Sequence, residues 1–216
     1  MNASLSSFIK LCNSIREKTA RDLEQKRPDN QLAKWRKLLT AVLETELAMH
    51  RVRSALNLLK TLPSKETLNM FFMSEGAWID YQYGTWSFWM CSLLDKEIEL
   101  VSQVSQQLIK PSNPQYREIE RPLLKSLVSQ KNKVGKIRHP LAHKGKGGTI
   151  EAVMREDSWK GFVVIPSPVD FNCILASCVP YHMRWHHFLH QVSIVILVEI
   201  ERISAELNQQ IDWDNI

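Results

Sequence analysis

Apolar residues recur at intervals of three and four along most of this chain, and that spacing predicts long helices. From Ser4 to about Gln25, the residues Leu5, Phe8, Ile9, Cys12, Ile15 and Leu23 fall on one side. Pro28 interrupts the pattern, and Asp29 is suited to cap a second helix running to about Leu62. Its stripe is Trp35, Leu38, Leu39, Val42, Leu43, Leu47, Val52, Leu56 and Leu59. Pro63 and Ser64 end it, and a third helical region extends from about Lys65 to Ile109, with a bend at Gly76 or Gly84. This region carries Trp78, Tyr81, Tyr83, Trp86, Phe88 and Trp89, an aromatic run expected in the core because large rings dominate interior packing. After the break at Pro111 to Pro114, another helix with Pro122 near its start leads to about Lys136. "TIEAVMRED" and "GFVVIP" flank "DSWKG", which has the turn chemistry of a hairpin. A last helical region runs from about Asp170 to Gln209 with a break at Pro180, and Val192 to Val198, apolar all round, should lie centrally. The expected fold is all-α: an up-and-down bundle of about five long helices with a small β-hairpin insertion near 149–166. Residues 1–65 form a helical extension packed on a bundle of residues 66–216.

Composition narrows the class. At 44% hydrophobic and 24% charged residues, the 216-residue chain can bury a real core, and seven glycines favour helices over a turn-rich sheet fold. No secretory signal is evident at the N-terminus, and the greasiest stretch, "VSIVILVEI", is too short for a membrane span and contains Glu199. The expectation is a cytoplasmic protein without a membrane partner. Cys12, Cys91, Cys173 and Cys178 form no CxxC pair, so they read as buried thiols in a reducing compartment and not as a zinc knuckle.

Charge changes the picture more. The net charge is +5, but the placement is uneven. From Arg121 to Ile150 there are eight Lys or Arg and no Asp or Glu, whereas the remainder has 20 basic and 23 acidic residues. A block of this kind suits a polyanion, with nucleic acid foremost, although a solvated basic face is the plainer alternative.

Within that block stands "KIRHPLAHKG", Lys136 to Gly145. Pro140 disfavours helix at the residue before it, so the entering helix should end near Arg138. Arg138 and His143 would then bracket a tight turn, with Leu141 and Ala142 packing inward. A guanidinium grips a phosphodiester through its planar fork and stays charged. An imidazole titrates near neutrality and can move a proton. Carboxylates to hold a divalent metal are missing from the segment, and RNA supplies its own nucleophile in the 2′-hydroxyl.

An arginine and a histidine separated by four residues, here "RHPLAH", in an all-helical chain of this size resembles the HEPN family (higher eukaryotes and prokaryotes nucleotide-binding domain). The resemblance covers about Trp78 to Gln209 without the hairpin. It implies a helical bundle, a homodimer in which two motifs face one another, and a metal-independent endoribonuclease of toxin–antitoxin or phage-defence type. On that resemblance Arg138 and His143 are catalytic. His139 is supporting, and it stands where the family commonly has a small polar residue, typically Asn. Lys131, Lys133, Lys136, Lys144 and Lys146 would bind RNA. An antitoxin or other protein partner is implied, and no cofactor or metal.

A second cluster, "YHMRWHHFLH", places His182, His186 and His190 at successive i, i+4 positions. Two histidines so spaced can ligate a metal, but a third ligand is not identifiable, and a histidine face on a packed helix is the simpler reading. His50 reads as an ordinary surface or boundary residue. Alternatives to the ribonuclease are a non-catalytic RNA-, nucleotide- or protein-binding module, a metal-binding bundle built on the three histidines, and an interaction protein that works through an apolar surface.

Overall fold

Proline and short polar stretches cut the helical pattern, and among the described residues six α-helices form between the cuts. The computed structural model describes residues 5–25, 28–143, 181–214 and 216, with backbone alone at 30, 31, 76, 80, 136–143, 181, 182, 184 and 185. The helices are α1 (Ser6–Glu24), α2 (Asp29–Lys60), α3 (Lys65–Met70), α4 (Glu75–Val104), α5 (Tyr116–His143) and α6 (Tyr181–Gln210). A π-helical turn, Ser105–Ile109, prolongs α4. Five of the six are long, so the all-α class holds. Among the described residues there are no strands, and the hairpin expected within 149–166 lies outside them. No helix among the described residues is long and apolar enough to cross a membrane.

Contacts divide the chain into two compact units that cut through the long helices. Unit I is drawn from 49–91 and 132–195, and unit II from 2–48, 92–131 and 196–216. Each is a helical bundle with its own core. In unit I, Val52, Leu56 and Leu59 of α2, Ile79, Tyr83, Trp86 and Met90 of α4, and Leu189 and Val192 of α6 are buried. The Trp86 indole donates to Ser193 Oγ at 3.1 Å, giving the buried N–H a partner and fixing α4 against α6. In unit II, Leu11 and Ile15 of α1, Leu38 of α2, Leu93, Leu94 and Leu100 of α4, and Ile200, Ile203 and Leu207 of α6 are buried. There the Trp35 indole donates to Asp22 Oδ2 at 2.6 Å, tying α2 to α1.

Helix ends show how tertiary structure supplies what local sequence lacks. Leu5, at the start of α1, has no side chain able to cap. The Glu201 carboxylate of α6 takes over, accepting from the amides of Ser7 at 2.8 Å and Phe8 at 3.1 Å and from Ser6 Oγ at 3.1 Å. At the other end of the scale, α3 is capped locally by Ser64, whose Oγ accepts from Thr67 N at 3.2 Å.

The third helical region breaks at 71–74, and not at a glycine: Gly84 sits inside α4. The break is a Schellman turn, in which Phe72 N donates to Asn69 O at 3.0 Å and Met73 N to Leu68 O at 2.9 Å. It requires a left-handed residue, and Phe72 fills that place with φ 53° and 99% exposure. Three smaller expectations are also corrected. Leu43 and Leu47 of the α2 stripe are exposed, because nine apolar positions make the stripe wider than the face that α2 buries. The stretch Val192–Val198 is not enclosed all round, since Val198 is 55% exposed. The aromatic run of α4 is only partly core: Tyr83 and Trp86 are buried, but Tyr81 and Phe88 are exposed.

Candidate nucleic-acid interface

The basic segment lies on α5. The tight turn expected between Arg138 and His143 is replaced by helix, which continues through Pro140 to His143. Proline at this position removes one amide, the donor that would reach the carbonyl of Lys136. The amides of 141–143 remain free to bond four residues back, and the bias that proline places on His139 is a preference that helix continuation can override. The consequence is geometric. On a helix, positions 138 and 143 are separated by about 140° around the axis and roughly 7.5 Å along it. Positions 139 and 143 are only about 40° apart, so the backbone puts the two histidines on one face and the arginine on another.

The lysines are distributed unequally. Lys131 belongs to unit II and is engaged by Asp95, Nζ to Oδ1 at 2.6 Å, which offsets part of its charge. Lys133 and Lys136 fall in unit I with the motif. Lys144 and Lys146 lie outside the described residues. The described residues of unit I contain eight Lys or Arg and three Asp or Glu, while those of unit II contain 14 and 16. Among the described residues, the whole positive excess therefore sits in the unit that holds Arg138, His139 and His143. Four of those eight, Arg51, Arg53, Lys60 and Lys65, form a second basic stretch with no acid between Glu46 and Glu66. Sequence reading missed it because it was averaged into the balance of the remaining chain.

The histidine stripe of α6 is in the same unit. His186 is buried, and its Nδ1 has no hydrogen-bond partner among the described residues. The His186 and His190 rings stack with centroids 5.7 Å apart and planes at 21°. Burial, with Lys60 and then the neighbouring His190 and His187 adding positive charge, pushes the His186 imidazole down to about 4. Burial also lowers His190. The His186 ring is thus neutral at pH 7, in a locally cationic setting that opposes further positive charge. Among the described residues, no group of three or more His, Cys, Asp or Glu could hold a metal ion. His50 is exposed, as expected. Cys12 and Cys91 are buried thiols.

The arrangement offers a basic unit in which the α5 backbone places two histidine positions on one helical face and an arginine position on another. An acid–base step at a phosphodiester needs the imidazole and the guanidinium at one phosphate. A single copy of α5 holds the two backbone positions on different faces of the helix. Comparisons with protein-family models, with curated proteins and with solved structures return no match for this chain.

Proposed function

We propose that this chain binds RNA through unit I and cuts it without a metal ion, as a HEPN-like endoribonuclease. The observation that carries the reading is the acid-free basic segment ending in Arg138 and His143 on the last turns of a long helix. In this reading His143 takes the proton from a 2′-hydroxyl, or delivers one to the leaving oxygen, and Arg138 balances the charge that builds on the phosphate. His139, on the face of His143, orients the phosphate or its neighbour. The angular separation of Arg138 and His143 along one helix favours a site shared by two copies, with the arginine of one facing the histidine of the other.

The test is cleavage of RNA in chelator by wild type, Arg138→Ala and His143→Ala, singly and mixed. Each variant alone is expected to be inactive. Random re-pairing of the two variants in a dimer rebuilds one intact site in half of the dimers, which restores about a quarter of wild-type activity. No restoration would place both residues of a site in one copy. Full activity of either variant, or loss of wild-type activity in chelator, would reject the mechanism.

A further inference from the structure

The aromatic run of α4 has two sides, and one of them keeps ring surface exposed. Ile79, Tyr83, Trp86 and Met90 face the core of unit I. Trp78, Tyr81, Phe88 and Trp89 fall within an arc of about 100° on the other side of the same helix, counted at 3.6 residues per turn. Tyr81 is 60% and Phe88 48% exposed, and Trp78 and Trp89 are partly exposed. Trp78 and Tyr81 rings lie 6.4 Å apart, and Phe88 meets Trp89 edge-on at 4.8 Å. The Arg51 guanidinium of α2 sits 4.1 Å above the Trp89 ring.

Exposed ring surface is unfavourable in water, and a partner that covers it recovers that cost. The chemistry around the stripe indicates which partner. No Asp or Glu occurs between Asp80 and Asp95 on α4, or between Glu46 and Glu66 on the stretch that supplies Arg51. Arg51 is exposed, is held in place by the indole, and has no salt bridge among the described residues. The cations beside the stripe come from α2, where Arg51, Arg53 and Lys60 stand in an acid-free stretch, and Arg51 is the one held over a ring. Flat rings beside a fixed cation match a ligand that is itself alternating rings and anions.

We propose that the exposed stripe of α4, with Arg51, is a stacking platform for single-stranded RNA: bases lie on Tyr81 and Phe88, and a phosphate meets Arg51. The inference rests on the RNA-binding reading above and adds the strand form that is recognised. Trp78 to Trp89 spans about 16 Å along the helix, roughly the rise of five nucleotides stacked at about 3.4 Å each. Bases inside a duplex are unavailable to such a platform, so single strands are preferred.

The experiment measures binding of a labelled single-stranded oligonucleotide, and of the same sequence as a duplex, to the full chain carrying His143→Ala so that the RNA persists. Titrations are repeated across a salt series. Tyr81→Ala/Phe88→Ala is expected to weaken single-strand binding at least about tenfold at every salt concentration, without changing the slope of log affinity against log salt, because stacking releases no counterions. Arg51→Ala is expected to flatten that slope by about 0.7. Tyr81→Leu/Phe88→Leu keeps apolar area but removes the π-faces, and is expected to behave like the alanine pair; Tyr81→Phe/Phe88→Tyr is expected to bind like the parent. Parent-like binding by the alanine pair overturns the platform and leaves the RNA reading standing. Parent-like binding by the leucine pair, or a change in oligomeric mass with no change in RNA affinity, assigns the stripe to protein association and also overturns it. Absence of RNA binding by the parent sinks the platform and the reading together.

Discussion

Glu97 gives the sharpest physical prediction. It stands on α4 in unit II, is fully buried, and neither carboxylate oxygen has a hydrogen-bond partner among the described residues. Burial alone pushes its carboxyl up to about 8 from an ordinary 4.5. At pH 7 the folded protein therefore keeps a proton that the unfolded chain has released. The sign follows from linkage: where the native state holds more protons, stability falls as pH rises. The contribution is best below the unfolded value, is lost between about 4.5 and about 8, and is constant above that. Each unit of pH in this window costs about 1.4 kcal/mol, so about 3 kcal/mol is gone between pH 5 and pH 7. Glu97→Gln keeps the shape and cannot ionise. Denaturant unfolding of both proteins from pH 4 to pH 9 at fixed salt isolates the effect as a difference, since all other groups cancel. The variant is expected to overtake the wild type progressively up to pH 8, and the gap is then expected to level off. A constant difference across the range, or a wild type that gains on the variant as pH rises, would refute the argument. Cys12 offers a second reading of the same interior: burial first, then the Glu46 and Glu97 charges, push its thiol up to about 12, so alkylation is expected only after unfolding.

Other perturbations have equally definite signs. His186→Phe in unit I is expected to act in the opposite direction. Its imidazole is lowered to about 4, so the unfolded chain binds the extra proton and the native state loses ground as pH falls from 6.5; the variant should remove that acid-side slope in the same unfolding assay. Phe72→Gly relieves a bulky residue of a left-handed conformation and is expected to stabilise by about 1 kcal/mol, visible as a higher thermal midpoint. Glu201→Gln weakens the cap of α1 and is expected to cost about 1 kcal/mol at pH 7. Burial opposes ionisation of Glu201, but the hydrogen bonds from Ser7, Phe8 and Ser6 outweigh it and hold its carboxyl below 4.5. Its contribution is thus present above pH 4.5 and is lost on acidification, so wild type and variant should converge at low pH.

How far the structure could be read from sequence depends on which interactions are local. Helix positions were legible because the apolar spacing repeats and Pro28, Pro63 and Pro111 to Pro114 cut it cleanly. The break before α4 was misplaced because glycine is the usual left-handed residue, and nothing local marks Phe72 for that role. Pro140 has the sequence signature of a stop, whereas in the fold it costs a single donor near a helix end. The burial of Glu97 did have a signal: it occupies the face shared by Leu93, Leu94, Leu100 and Val101, three or four residues away on either side. Its charge made it look like surface in "DKEIEL". The basic segment was legible as composition, but the pairing of Lys131 with Asp95 joins residues far apart in sequence and was not. The aromatic run illustrates the same limit. Its spacing alone contains both faces of α4, and only the packing of unit I decides which rings are buried.

The central claim is that a histidine and an arginine suffice because RNA brings its own nucleophile. It is tested most directly by incubating wild type, in chelator, with an RNA and with the same strand carrying a 2′-deoxy residue at the scissile position. The account predicts cleavage of the RNA to a 2′,3′-cyclic phosphate and a 5′-hydroxyl, an intact deoxy strand, and no cleavage of either by His143→Ala. Equal cleavage of the deoxy strand, or cleavage that appears only when a divalent metal is restored, would contradict it.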